Sequence, residues 1–382
     1  MDFRLSEREN KVQKLTRDFA REKIAPFVMK FDESQEFPFE IIRELSELGF
    51  LGIIFPEEYG GAGFSTLEYA IIVEEISKVD PSIGLTVASH NGLCTNHIYK
   101  FANEAQKKKY LPDLTSGKKL GAWGLTENVS GSDAASMASY AEKKDGYYLL
   151  NGRKLFITQG TVGEIAVVTA VTDKSNQKHG ISAFILEKGM KGFLTGKKEN
   201  KLGMRSSDTT ELIFDNVEVP EENLIGKEGD GFKQVLQILD GGRIGIAALS
   251  IGIAEGALEA SVKYSKERKQ FGKFISEFQA TQFKIAEIST EIEAARLLIH
   301  KAAFMKDNGE NINTIASMAK LYSSEIATKA TNEAVQIHGG YGFIKEFPVE
   351  KLYRDVKLMT IGEGTSEVQK MIIAKNILKL FD

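Results

Sequence analysis

Apolar positions along this chain follow three regimes in turn. Up to about residue 120 they recur at helical spacing: Ile41, Ile42, Leu45 and Leu48 share one face of a segment that opens at Pro38 and closes at Gly49. Ser6 with Glu9 makes a capping-box pattern at the head of the first amphipathic run, which ends near Pro26. The loop FPEEYGGAGFS follows, and Pro81 and Pro112 break the remaining helices. From residue 121 the period shortens. DGYYLL, EIAVVTAVT, ISAFILE and TTELIFDNVEV are β-branched or aromatic runs, with turn chemistry at Asp145-Gly146 and Asn151-Gly152. Beyond Pro220 and the glycine-rich GKEGDGF, helical spacing returns over residues 254–266, 279–306 and 314–337, in sequence rich in Ala, Glu, Lys and Leu. The pattern predicts an α+β multidomain protein. An all-α domain spans residues 1–120, an antiparallel β domain 121–229 and an α-helical bundle 230–382.

Composition narrows the function classes. At 382 residues the chain exceeds the roughly 250–300 at which single cores stop growing. Hydrophobic residues at 42% and charged residues at 27% are those of a globular protein. The net charge of -4, with signs interleaved, offers no footprint for nucleic acid or an anionic membrane. The single cysteine, Cys94, cannot form an internal disulfide, fits a reducing compartment and reads as a small core residue. The start, MDFRLSEREN, lacks the apolar segment of a signal peptide, and the apolar run 244–254 is too short to span a bilayer. A soluble, cytoplasmic protein is expected.

The five histidines have no metal-ligand spacing, and H-E-x-x-H, a P-loop and a strand-linked G-x-G-x-x-G are all missing, which disfavours zinc and nicotinamide chemistry. What remains is a series of polar, glycine-containing stretches. WGLTENVSGSDAAS sets Thr126, Ser130, Ser132 and Asp133 beside Gly131, where freed backbone amides could receive an anion or a ring edge, or simply form a loop. Thr158 in LFITQG is a site residue or a β-former, and Arg268 in ERKQFGK a phosphate donor or a solvated charge. QIHGGYGF holds two glycines past a helix end, which a C-cap would also require. TIGEGTSEVQK places Glu363 between Gly362 and Gly364. Ser366 and Gln369 make a capping-box pattern behind it, and Val368, Met371, Ala374, Leu378 and Phe381 make a stripe expected to be buried.

With KLGMRSSDTTELIFDNVEVP and LDGGRIGIAA, these stretches stand in an order and spacing that resembles the acyl-CoA dehydrogenase family over essentially the whole chain, closest to its short-chain and general bacterial members. The resemblance implies a C-terminal four-helix bundle and FAD held between the β domain and that bundle, with a neighbouring subunit of a homotetramer assisting. It assigns flavin contacts to Trp123, Leu125, Thr126, Gly131, Ser132, Phe156, Ile157 and Thr158. Arg268, Gln270, Phe271 and Gln279 would serve the diphosphate and adenine side, with Gln336, Gly339 and Gly340 reaching across the dimer and Gly364, Thr365 and Glu367 completing the set. Ser132, Asp240, Arg243, Glu363 and Gly364 match substrate-contacting positions, and Glu363 falls on the catalytic base.

The implied reaction is α,β-dehydrogenation of an acyl-CoA. Glu363 takes the α-proton, flavin N5 accepts the β-hydride, the product is the trans-2-enoyl-CoA, and electrons pass to electron-transferring flavoprotein. Burial would raise the Glu363 pKa, while the following helix N-terminus would lower it. The chain departs from the family pattern at Phe156, where a Trp is common, at Glu127-Asn128-Val129, at Gly362, where an aromatic residue is frequent, and at Lys375, where some members have Arg. Gly362 suggests room for branched or cyclic acyl groups. An acyl-CoA oxidase or flavin monooxygenase of the same architecture is the alternative that keeps the fold, and a non-catalytic helical scaffold the one that abandons the chemistry.

Overall fold

The computed structural model describes residues 4–381. The N-terminal helices are α1 (Glu7–Phe19), α2 (Val28–Ser34), α3 (Phe39–Glu47), α4 (Thr66–Ser77), α5 (Pro81–Ser89), α6 (Asn96–Phe101) and α7 (Glu104–Thr115). Ser6 and Glu9 form the expected reciprocal cap. Pro81 opens α5 at a position where its missing N–H costs nothing, and Asp80 caps the same turn by accepting from Ser82 N at 2.9 Å. Pro112, expected to break a helix, instead lies inside α7, which continues to Thr115. Between α5 and α6 the chain widens into a π-helical turn, His90–Thr95, whose residues are all buried.

The strands are β1 (Gly121–Gly124), β2 (Tyr140–Lys143), β3 (Tyr147–Thr158), β4 (Ile165–Val171), β5 (Ile181–Glu187), β6 (Phe193–Thr195), β7 (Thr209–Pro220) and β8 (Leu224–Ile225). They form one sheet in the order β6-β7-β3-β2-β4-β5-β8, with β1 added beside β4. The ladder is antiparallel, as expected, except that β1 and the Tyr140–Val171 pair run parallel to β4, which the chain reaches only after crossing over the β2-β3 hairpin. Asp145-Gly146 turns that hairpin. Asn151-Gly152 does not turn the chain; it sits within β3 at a register shift, where any Cβ on Gly152 would stand 2.2 Å from Ser139 Oγ. Period-two alternation buries both sheet faces. Val167, Ala183 and Ile185 meet Cys94, Leu111 and Leu114 of the helices, while Val168, Phe184 and Leu186 meet Tyr148, Leu212 and Phe214. Cys94 is therefore a core residue, as its isolation in the sequence suggested.

After the sheet come α8 (Gly231–Glu267), a small hairpin of β9 (Lys269–Gln270) and β10 (Lys273–Phe274), and then α9 (Gln279–Asp307), α10 (Asn313–His338), α11 (Pro348–Asp355) and α12 (Ser366–Leu378). The 37-residue α8 is the axis, contacting α4, α5, α9 and α10. By length and composition it is the one helix among the described residues that could cross a membrane, yet 78% of its apolar window is buried inside the protein. Lys351 joins the layers from within. Its Nζ donates to Asp80 at 3.0 Å and to Asp355 at 2.6 Å, and Asp355 accepts from Met204 N on the loop before β7.

Candidate active site

Thr365, one residue earlier than expected, caps α12 by accepting from Val368 N at 3.3 Å. Ser366 is turned away from capping because its hydroxyl donates to Glu325 on α10 at 2.6 Å. Gln369 points back at the loop and donates to the carbonyl of Gly364 at 3.0 Å and of Glu363 at 3.4 Å. The expected buried stripe of α12 is also revised. Met371 is 70% exposed, Leu378 68% and Phe381 85%, since among the described residues α12 packs mainly against α10.

The loop ahead of that cap holds Glu363 at φ +52° and Gly364 at φ +94°, two consecutive left-handed residues. This turn drives the Glu363 side chain inward against α8 at Gly242, a glycine that Leu93 of the π-helical turn also approaches. The Tyr69 hydroxyl, which donates to Ala88 O at 3.1 Å, reaches the neighbouring Gly92 and Gly245. Three glycines from two elements thus open the space into which an acid and a phenol project. Glu363 Oε2 is buried and has no hydrogen-bond partner among the described residues. Burial pushes the carboxyl up to about 7, opposed by the nearby charges of Lys320 and Arg243, so desolvation outweighs those two cations.

Arg243 is buried on α8, donating to Asp240 at 2.6 Å and to Ser317 at 3.4 Å, with its Nε unpartnered; Asp240 also accepts from Asn313. Lys320, on α10, donates to Gly364 O at 2.7 Å. The motifs had pointed to neither Lys320 nor Tyr69. Lys320 left one signal, because it falls among Ala316, Ala319, Ser323 and Ala327 on the small-residue face of its helix, where a solvated lysine would not be placed.

A second group gathers where α8 ends. Arg268 and Gln270, expected at the diphosphate side, line the same cleft as Gly339 and Gly340, expected to reach across a dimer, so one protomer presents all four together. Tyr264 stacks on His338 with ring centroids 4.3 Å apart, and Arg268 lies over the Tyr341 ring at 5.5 Å. Phe271, at the tip of the β9-β10 hairpin, is 94% exposed, and Gln279 and Gln336 are also exposed.

The remaining expected contacts lie on the β domain. Phe156 sits at φ +58° in a register shift of β3 and projects its ring outward, 64% exposed. Ile157 and Leu125 point into cores, and Trp123 is tied to His97 by its indole N–H at 3.0 Å, so the side chains of those three are committed to the protein interior. The Thr126 carbonyl accepts from Leu155 N, while Gly131 and Ser132 are exposed. Lys154 and Glu127 hold this loop from beneath as a fully buried ion pair at 2.6 Å, with Glu127 also accepting from Ala138 N and Ser139 N. Among the described residues no three His, Cys, Asp or Glu side chains come together as a metal site.

Three family models match in succession: the acyl-CoA dehydrogenase N-terminal domain over residues 6–118, the middle domain over 122–217 and the C-terminal domain over 229–378. An acyl-CoA dehydrogenase of Bacillus subtilis (strain 168) is 50% identical over 367 residues, 96% of this chain and 97% of that protein. Butyryl-CoA dehydrogenase from Megasphaera elsdenii superposes with a TM-score of 0.97 at 47% identity, covering 99% of this chain and 100% of that one. A chain solved in work on the electron transferring flavoprotein of Acidaminococcus fermentans and flavin-based electron bifurcation gives 0.98 at 49% identity, again over 99% and 100%. With all three domains matched in order and the fold reproduced end to end, this chain belongs to the acyl-CoA dehydrogenase family.

Proposed function

We propose that the protein oxidises a short- or branched-chain acyl-CoA to its trans-2-enoyl thioester, with Glu363 as the base that removes the α-proton. One observation carries this reading: Glu363 Oε2 is buried, unpartnered and aimed into a space kept open by glycines. A carboxylate with a free lone pair in a desolvated pocket is a stronger base than one in water, and a pKa of about 7 leaves it substantially ionised near neutrality. The loop holds the acid on the backbone ahead of a capped helix, so little reorganisation is needed when the proton moves to Oε2.

The chain's surface fits FAD, the family's cofactor. Phe156 offers an aromatic face at a bend, and the cleft at the end of α8 offers the Arg268 guanidinium beside Gly339 and Gly340, where a Cβ would meet nothing within 4 Å. Bound there, FAD supplies the acceptor for the β-hydride. Phe156 and Thr158, with the backbone of residues 123–132 and 157, would hold the ring system. Arg268, Gln270, Phe271, Gln279, Gln336, Gly339 and Gly340 would hold the diphosphate and adenine end, and Gly364, Thr365 and Glu367 would lie beside the base. Ser132, Asp240, Arg243 and Gly364 would contact the acyl-CoA.

A short acyl chain is supported by the likeness to butyryl-CoA dehydrogenase. Branched groups are supported by Gly362, where an added Cβ would come no closer than 3.4 Å to Leu358, so crowding does not impose the glycine. Electron-transferring flavoprotein is the proposed electron recipient, in keeping with the Acidaminococcus neighbour. Exposed apolar side chains on α12 and the uncovered Phe271 support a homotetramer, and the lone buried thiol supports a cytoplasmic setting. Anaerobic titration of the yellow protein with butyryl-, isobutyryl- and octanoyl-CoA, followed by flavin bleaching, is the test. Glu363→Gln should keep its flavin and lose bleaching. Normal reduction by that variant would reassign the base.

A further inference from the structure

Lys320 has no exposed surface, and among the described residues it makes no ion pair; its one hydrogen bond runs to Gly364 O. Enclosing an ammonium with a single carbonyl partner is costly, and burial drives this amine down to about 8. An apolar residue would fill the same volume at less cost, so the amine is there for its charge or its donor. Both point at the same place. The Gly364 carbonyl receives Lys320 from α10 and Gln369 from α12, and these two donors fix a turn whose two residues hold left-handed backbone angles. Glu363 is the first of them.

The charged and titratable groups facing Glu363 can be named element by element. Lys320 comes from α10, Arg243 from α8 and the Tyr69 hydroxyl from α4, whereas the π-helical turn contributes the apolar Leu93 and α12 the neutral Gln369. Arg243 is already neutralised by Asp240 at 2.6 Å. Glu325 and Glu367 also act on Lys320. Of the two cations that act on the acid, Lys320 has the larger influence, ahead of Arg243, through an interior where such fields are poorly screened.

We propose that Lys320 is a positioning residue for Glu363: its ammonium pins the Gly364 carbonyl, fixing the turn that aims the carboxylate, and its charge keeps that carboxylate ionised against burial. This rests on Glu363 being the base. The charge explains how an acid in a desolvated site stays available to accept a proton, and the hydrogen bond explains how a strained turn keeps one geometry.

The test uses the flavin-loaded enzyme with Lys320→Gln, which keeps a donor without the charge, Lys320→Met, which keeps neither, and Lys320→Arg, which keeps the charge. Two readouts are followed against pH: the rate of flavin reduction by butyryl-CoA, and the infrared carboxyl band of Glu363, taken as the difference from Glu363→Gln. In the Gln and Met variants both midpoints should rise by about one pH unit, an approximately tenfold loss of ionised base below the midpoint, while Arg stays close to the wild type. Met should also lower the plateau rate more than Gln, because only Met releases the turn. Unmoved midpoints in Gln and Met overturn the proposal, as does failure of both to fold with flavin, which would make Lys320 a structural residue. If Glu363→Gln reduces flavin normally, the assignment of the base fails instead, and the two failures are told apart by that one variant.

Discussion

Glu363 Oε2 fills the space that a side chain on Gly242 would claim: a Cβ added to Gly242 would stand 2.1 Å from that oxygen. The contact joins the loop before α12 to the middle of α8 and fixes where the acid lies. Gly242→Ala must push the carboxylate off its seat, since α8 is buried along this stretch and cannot yield. A displacement near 1 Å costs roughly 100-fold in rate. Stopped-flow reduction should show such a fall with flavin content unchanged; a rate equal to the wild type would mean the acid works from another position.

Glu363 also gives stability a definite pH dependence. Its folded-state pKa is raised from 4.5 to about 7, so its favourable contribution is complete below the unfolded value and is lost as pH rises through the folded one. Glu363→Gln should therefore melt higher than the wild type at about pH 8, with the gap closing by about pH 5. Over the same interval the wild-type reduction rate should rise as the base ionises. Calorimetry that shows a constant gap would place the carboxyl in solvent.

Two buried histidines act with the opposite sign. His97 accepts from the Trp123 indole on Nδ1 and donates from Nε2 to Gln234, and His90 accepts from Gly121 N while donating to Leu114 O, so each ring is held neutral. Burial lowers both from 6.5 to about 4, so the stability they contribute is present above 6.5 and is lost as pH falls toward 4. Emission of Trp123, the single tryptophan, should report loosening in that window. His97→Phe strands two polar partners and should cost about 1–3 kcal/mol while flattening the acid dependence.

Lys351 lies between two buried aspartates, one capping α5 and the other on α11. Lys351→Met leaves both carboxylates without their counter-charge and should destabilise by about 3–5 kcal/mol, read as a fall in chemical-denaturation midpoint. Because Asp355 also receives Met204 N, loosening should spread to the loop before β7, visible as faster amide exchange there. A neutral effect would mean that water already reaches the pair.

The order of helices and strands was legible in the chain because the period of apolar positions changes from helical to two-residue and back, and burial of one face enforces each period locally. The α1 cap, the Asp145-Gly146 turn and the core place of Cys94 were read for the same reason: each depends on neighbours in sequence or on isolation within it. The glycines around Glu363 marked a special acid, though not what would surround it.

Tertiary structure decided the rest. Thr365 rather than Ser366 caps α12 because Glu325, 41 residues away, takes the serine hydroxyl. Asn151-Gly152 is a bulge rather than a turn because Ser139 approaches it across the sheet, and the α12 stripe stays exposed because none of the other described residues covers it. Whether Glu363 is raised or lowered depended on three helices converging on one carboxylate. Burial, Lys320 and Arg243 act on it through space, and a one-dimensional pattern carries no distance between residues so far apart in the chain.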